Sequence, residues 1–346
     1  MKKLILCLVL LIGAVIAGEA CTSLVASGHA TANGRPMLWK HRDTGAPHNF
    51  LKRIEPAVEG EYAYVGLFNQ ADTALREAWT GMNRVGFAIM NTASYNLAPD
   101  TARVKDREGE VMAMALRKCR TVSDFRTMLD TLARPMGVQA NFGVIDAEGG
   151  AAYFETWDNG YNYFPIGGEG EPTALIRTNF SVTGNDSTGM GYIRYDNAHH
   201  LLDKDINSGR LTAEDCVDKA SRSFYHSLQG KDVVRDTKDK WAVDQDFIPR
   251  YISTAAIVIE GALPGENPEE VMKMHTRLGY PPVADKYMVT MDSLPADVQP
   301  LLPGNRCQAN ATASARHKKV FSIRRGSGKR YINLQALRAI MKATDR

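Results

Sequence analysis

The feature that most constrains this chain is an apolar leader that stops at one cysteine, directly before a strand pattern. Lys2 and Lys3 precede an apolar stretch over residues 4–17, broken only by Gly13. Gly18 and Ala20 are small residues at −3 and −1 relative to Cys21. This pattern predicts a secretory signal peptide over residues 1–20. The apolar run is short for a bilayer span, and no later segment approaches it without charges. The remainder, 21–346, is expected to be one domain, secreted or periplasmic, with no membrane span. Cys21 runs at once into Thr22-Ser23-Leu24-Val25-Ala26, so the residue at the cut is tied to a sheet.

Cys21 then has three readings: a lipid attachment point, a structural or disulfide cysteine, or a nucleophile exposed by leader removal. A lipobox favours a large aliphatic residue at −3 and small residues beside the cysteine. Gly18, Glu19 and Ala20 fit that poorly, and no flexible polar linker follows. The nucleophile reading has a direct chemical basis. An α-amino group has a reference pKa of about 7.7–8.0, close to a thiol at about 8.5. A free N-terminal amine can therefore take the thiol proton without a histidine.

Loss of residues 1–20 removes two lysines and one glutamate and moves the formal charge from +3 to +2. A balance this close to neutral gives no argument for nucleic acid, and none is expected as a partner. A basic cluster at His317, Lys318, Lys319, Arg324, Arg325, Lys329 and Arg330 reads as a solvated face. Cys119, Cys216 and Cys307 are too sparse for a disulfide scaffold and fit no zinc spacing, although one disulfide among them is open. A homo-oligomer is equally open.

Strands are expected at 22–26 and 36–41, around Asn33-Gly34, whose residues accept the positive φ angles of a tight turn. Further strands are expected at 62–68, 85–91, 142–146, 151–156, 174–178, 253–260 and 287–291. Helical spacing marks 108–120, 121–132, 192–202, 213–226 and 333–343. Hairpins in several places argue against a purely parallel sheet. The expected class is α+β, with two antiparallel sheets packed together and covered by helices; a single-sheet α+β fold is the rival.

A nucleophilic thiol needs an orienting group and oxyanion donors. The stretch "NGRPMLWKHRDT" puts Asp43 where the first hairpin folds back beside Cys21. Taken alone, Asp43 reads as an exposed strand-end carboxylate. Four segments in order carry a resemblance: Cys21-Thr22-Ser23; Asn33-Gly34 running to Lys40-His41-Arg42-Asp43; "GMNRVGFAIMNTAS"; and "RTNF" at 177–180 followed by "GYIRYDNAHHLL". Together they resemble the cysteine N-terminal nucleophile (Ntn) hydrolases of the linear amide, or choloylglycine hydrolase, branch. That branch includes bile salt hydrolases, penicillin V acylases and isopenicillin-N acyltransferases.

The resemblance implies a four-layer αββα sandwich and a cofactor-free, metal-free hydrolase of linear amides acting on a small-molecule amide. It implies Cys21 as nucleophile with its α-amine as base, and Asp43 as the partner of that amine. It implies Asn179 as oxyanion donor and Arg194 as the arginine near the nucleophile. Two departures stand out. Lys40 replaces the family's arginine three residues before the aspartate. Asn91, a candidate for the second oxyanion donor, sits one or two positions early, with a nearby backbone N–H and Tyr95 as rivals. Acyl transfer to an amine instead of water is an alternative, as is a lipid-anchored, non-catalytic binding protein. His29 or His41 could form a dyad with Cys21, Ser253-Thr254 reads as core strand, and His199-His200 project from different faces. The segments 91–96 and 161–168 are expected to line the pocket.

Overall fold

The computed structural model describes residues 21–322 and 329–344. The expected leader, 1–20, and the basic residues Arg324 and Arg325 lie outside the described residues. Two large antiparallel sheets dominate. The first contains β1 (Thr22–Ala26) and β2 (Met37–Asp43). The second is a meander of β3 (Asn49–Ile54), β4 (Tyr64–Asn69), β5 (Thr80–Asn83), β6 (Ala88–Ala93), β7 (Ala140–Ile145), β8 (Ala151–Trp157) and β9 (Gly160–Pro165), paired in that order. The chain then returns to the first sheet with β10 (Ala174–Arg177). Two short pairs follow, β11 (Tyr225–His226) with β12 (Lys231–Asp232), and β13 (Trp241–Val243) with β17 (Tyr331–Asn333). With β14 (Ser253–Glu260), β15 (Lys273–Leu278) and β16 (Lys286–Val289), the first sheet is ordered β10-β1-β2-β14-β15-β16.

The sheets pack face to face, β1 and β2 against β6, β7 and β8. Gly143 of β7 permits this approach. A Cβ there would lie 2.6 Å from Val25 Cγ2 and 2.3 Å from Met90 Cε. The helices α1 (Glu108–Lys118) and α2 (Val122–Thr131) cover the outer face of the second sheet, where Phe125 packs on Phe142 and Phe154. Thr121 and Asp124 close a capping box at the start of α2. The long helix α3 (Tyr192–Asn207) covers β1 and β10 on the other side. The result is the expected αββα layering. The remaining helices are α4 (Pro268–Val271), α5 (Gln308–Val320) and α6 (Leu334–Thr344). No described helix is long and apolar enough to cross a membrane.

Two expectations are corrected, and one helix was not expected. Residues 213–226 do not form one helix: a π-turn over Asp215–Lys219 tightens into a 3₁₀ turn, and Tyr225–His226 is a strand. Residues 85–91 are a hairpin and a strand, because Gly86 at φ 99° turns the chain before β6. Helix α5 is not foreshadowed by apolar spacing, since it buries only Ala309, Asn310, Ala313 and Val320. The open disulfide is also decided: Cys119, Cys216 and Cys307 are free thiols, all buried.

Candidate active site

Cys21 lies immediately before β1 and is buried. The β1–β2 register, Thr22 opposite His41, brings it beside the end of β2. Its Sγ lies 3.9 Å from the backbone carbonyl oxygen of Asp43. The sequence expectation that the hairpin folds Asp43 back to Cys21 therefore holds at the level of the backbone.

The Asp43 side chain is fully buried rather than exposed. Its Oδ1 accepts from Ser253 Oγ at 2.6 Å, and its Oδ2 accepts from Arg250 Nε at 3.0 Å and Nη2 at 2.8 Å. A buried carboxylate needs partners of this kind, because an unpaired charge in the interior is strongly disfavoured. A register irregularity between Ser253 and Ala255 in β14 sets Ser253 opposite Asp43. His41, Asp43 and Ser253 share a cluster, but its wiring is not that of a catalytic triad. Ser253 gives its proton to Asp43, accepts from the Arg250 backbone N–H at 2.8 Å, and meets His41 Nε2 at 2.9 Å. Burial pushes the His41 pKa down to about 4, so the ring is neutral at pH 7. His41 bonds to Ser253 and its Nδ1 has no hydrogen-bond partner among the described residues, so it forms no dyad with Cys21.

On the other side of Cys21, α3 delivers Arg194. The guanidinium is buried and donates from Nη1 to the Cys21 carbonyl at 2.6 Å and to Thr22 Oγ1 at 3.1 Å. From Nη2 it donates to Asn179 Oδ1 at 2.7 Å. Burial, with help from Arg250, lowers its pKa to about 10, which leaves it charged at neutral pH. Gly191 makes the arrangement sterically feasible. It sits at φ 89°, and a Cβ there would lie 2.4 Å from Arg194 Nη2. Asn179 follows β10, and one of its amide hydrogens goes to the Ala93 carbonyl at 2.8 Å. That bond ties the Asn179 loop to the end of β6.

Lys40 projects from β2 toward the second sheet and is buried. Its ammonium donates to the Trp79 carbonyl at 2.7 Å and to Asn91 Oδ1 at 2.6 Å. The two departures from the family pattern thus meet each other. With Oδ1 held by the ammonium, the donor end of the Asn91 amide is turned away from Lys40. Arg42 instead donates to Asn69 and stacks 4.8 Å over Trp79.

Of the expected pocket segments, residues 91–93 belong to β6 and are buried, while Tyr95 is 40% exposed. The loop after it is pinned to 181–185, with Asn96 Nδ2 donating to Ser181 O and the Asn185 N–H to Asn96 O. Tyr161 and Tyr163 do not line this region. They pack on Phe154, and Tyr161 bonds Asp130 on α2, which places them on the helix layer. His199 bonds Asp203 and His200 stacks on Tyr225, so the two histidines do diverge. The residues missed from sequence are Arg250, Ser253 and Gly191. Arg250 and Ser253 lie more than two hundred positions from Asp43, with no local motif to mark them.

No family model and no curated protein matches the sequence. Solved structures do. One is the Caenorhabditis elegans ortholog of N-acylethanolamine-hydrolyzing acid amidase, at 14% identity and TM-score 0.47, covering 73% of this chain and 98% of that one. A second is a variant of conjugated bile acid hydrolase from Clostridium perfringens, at 9% identity and TM-score 0.48, covering 80% and 94%. A third is penicillin V acylase from Agrobacterium tumefaciens, at 12% identity and TM-score 0.44, covering 79% and 87%. The likeness is one of fold.

Proposed function

We propose that this chain, once residues 1–20 are removed, is a secreted cysteine amidase that hydrolyses a linear amide through a thioester on Cys21. The observation that carries the reading is the bridge made by Arg194, from the Cys21 carbonyl to the side chain of Asn179. It fixes the backbone of the nucleophile and the group assigned to the oxyanion in one rigid unit.

In this reading the Cys21 α-amine takes the thiol proton, and the thiolate attacks the amide carbonyl carbon. The tetrahedral oxyanion accepts from the Asn179 amide, with Asn91 as the candidate second donor. The C–N bond then breaks, and the protonated α-amine gives its proton to the departing amine. Water adds to the thioester with the same amine as base, and the acid leaves as Cys21 is regenerated. Asp43, held rigid by Arg250 and Ser253, orients the amine. Arg194 supplies a fixed positive charge that favours the thiolate. Lys40 holds Asn91 in place. The substrate is an N-acyl amino acid, a bile salt conjugate or a penicillin-like amide; with an amine in place of water, the same thioester supports acyl transfer.

Intact mass of the mature protein tests the reading. A mass beginning at unmodified Cys21, together with labelling by a thiol-reactive acyl probe that Cys21→Ser abolishes, is expected. A diacylglyceryl mass, a retained leader, or an unlabelled wild type would overturn it.

A further inference from the structure

A cavity of about 420 Å³ adjoins the site on the far side of Asp43. Thr44, the residue after the carbonyl that faces Cys21 Sγ, lines it, and so does Ser253, the donor to Asp43. Its wall is aromatic. Tyr251 and Tyr280 each pack on His317, with ring centroids 4.8 and 5.0 Å apart. Its rim carries Lys318 and Arg330, and no aspartate or glutamate is among its lining residues. These are two members of the basic cluster that the sequence leaves as a solvated face. Among the described residues neither forms an ion pair, and Arg330 stacks 3.5 Å over the Tyr251 ring. Asp244, the acid on the neighbouring cleft that shares Arg330, is bonded to the Tyr251 backbone N–H and is not in this lining.

The Tyr280 hydroxyl is the second observation. Tyr280 is 2% exposed, lines the cavity, and its Oη has no hydrogen-bond partner among the described residues. A buried hydroxyl is normally satisfied, so an orphan donor beside a cavity calls for an acceptor in it. Two cations, one orphan O–H and an aromatic wall together select a ligand with an anionic end and a planar apolar body. A cavity of this size suits a small molecule rather than a peptide.

We infer that this cavity is a binding site for an aromatic carboxylate, with the carboxylate between Lys318, Arg330 and the Tyr280 hydroxyl and the ring against Tyr251. The site is built from residues outside the acyl-transfer machinery, apart from the wall it shares at Thr44 and Ser253. It stands or falls separately from the amidase reading, because its readout is binding.

The probe is 4-fluorobenzoate, followed by ¹⁹F NMR titration of the full chain. Saturable binding with a dissociation constant of about 1 mM or tighter is expected, a range open to a ligand of ten heavy atoms. Neutral 4-fluorobenzamide should bind at least about tenfold more weakly, since it lacks the charge that the two cations select. The double variant Lys318→Ala/Arg330→Ala, altered only at the rim, should lose about tenfold or more for the carboxylate and little for the amide. Tyr280→Phe should weaken the carboxylate by a smaller factor and leave the amide unchanged. Absence of saturable binding, equal binding of acid and amide, or unchanged binding in the double variant would each overturn the assignment.

Discussion

Arg194 Nη1 lies 2.6 Å from the carbonyl oxygen of Cys21, a residue 173 positions earlier in the chain. A buried charge therefore holds the residue immediately before β1. Its second nitrogen holds Asn179, so the distance from sulfur to amide is set by one buried side chain.

Arg194→Met should leave the Cys21 carbonyl, Thr22 Oγ1 and Asn179 Oδ1 without this donor. Each buried acceptor left unpaired costs roughly 1–3 kcal/mol. Gly191→Ala should mimic part of the effect, at about 1–3 kcal/mol, by forcing a Cβ into a left-handed position against Nη2. Urea unfolding measures both. A Gly191→Ala protein as stable and active as wild type would show that the guanidinium is not confined as described.

Asn179→Ala should lower kcat by about 10²–10³ if its amide meets the oxyanion. Asn91→Ala should lower kcat by less, since Asn91 sits one or two positions early of the family's second donor. Steady-state kinetics on one amide substrate ranks the two. A larger loss at Asn91 would reassign the principal donor.

Lys40 and Asn91 should be energetically coupled. Asn91→Ala strips a buried ammonium of one of its acceptors, which is costlier than removing both groups. The double variant Lys40→Met/Asn91→Ala should therefore be more stable than Asn91→Ala alone. A thermodynamic cycle with coupling below about 0.5 kcal/mol would count against the pair.

Acid should destabilise the protein before its carboxylates titrate in bulk. Burial holds His41 and His317 near pKa 4, below the usual 6.5. The unfolded chain binds protons there that the folded chain does not. Their contribution is full above about pH 6.5 and is lost as pH falls through about 4, by roughly 3 kcal/mol each. Asp244, raised by burial to about 6, acts with the opposite sign over part of this range. The net slope should remain toward lower stability in acid. His317→Phe, which keeps the aromatic packing, should flatten the profile of urea midpoints between pH 7 and 4.5. An unchanged slope would remove His317 from the account.

Much of the layering was legible because it follows from period and turn chemistry. The short β-prone run of β1, the Asn33-Gly34 turn and the helices α1 to α3 all carry local signals. Residues 213–226 misled because their helical spacing is real but is bent through π and 3₁₀ turns by packing on β14 and β15. Helix α5 was silent because a helix that buries alanines needs no apolar stripe. The pocket reading of residues 161–168 does not hold for Tyr161 and Tyr163, because aromatic content does not say which face of a strand is meant; Phe164, on the other face, lies against Arg177.

By itself, the sequence determined the position of Cys21 at the edge of a strand, the hairpin that returns Asp43 to it, and the candidates Asn179 and Arg194. Those are matters of chain order and short range. Only the tertiary structure decided that Lys40 serves Asn91, that Arg250 and Ser253 hold Asp43, and that two cations flank an orphaned tyrosine hydroxyl. The reason is physical. A buried polar group must find a partner wherever the fold brings one, and those partners come from strands and loops far apart in the chain.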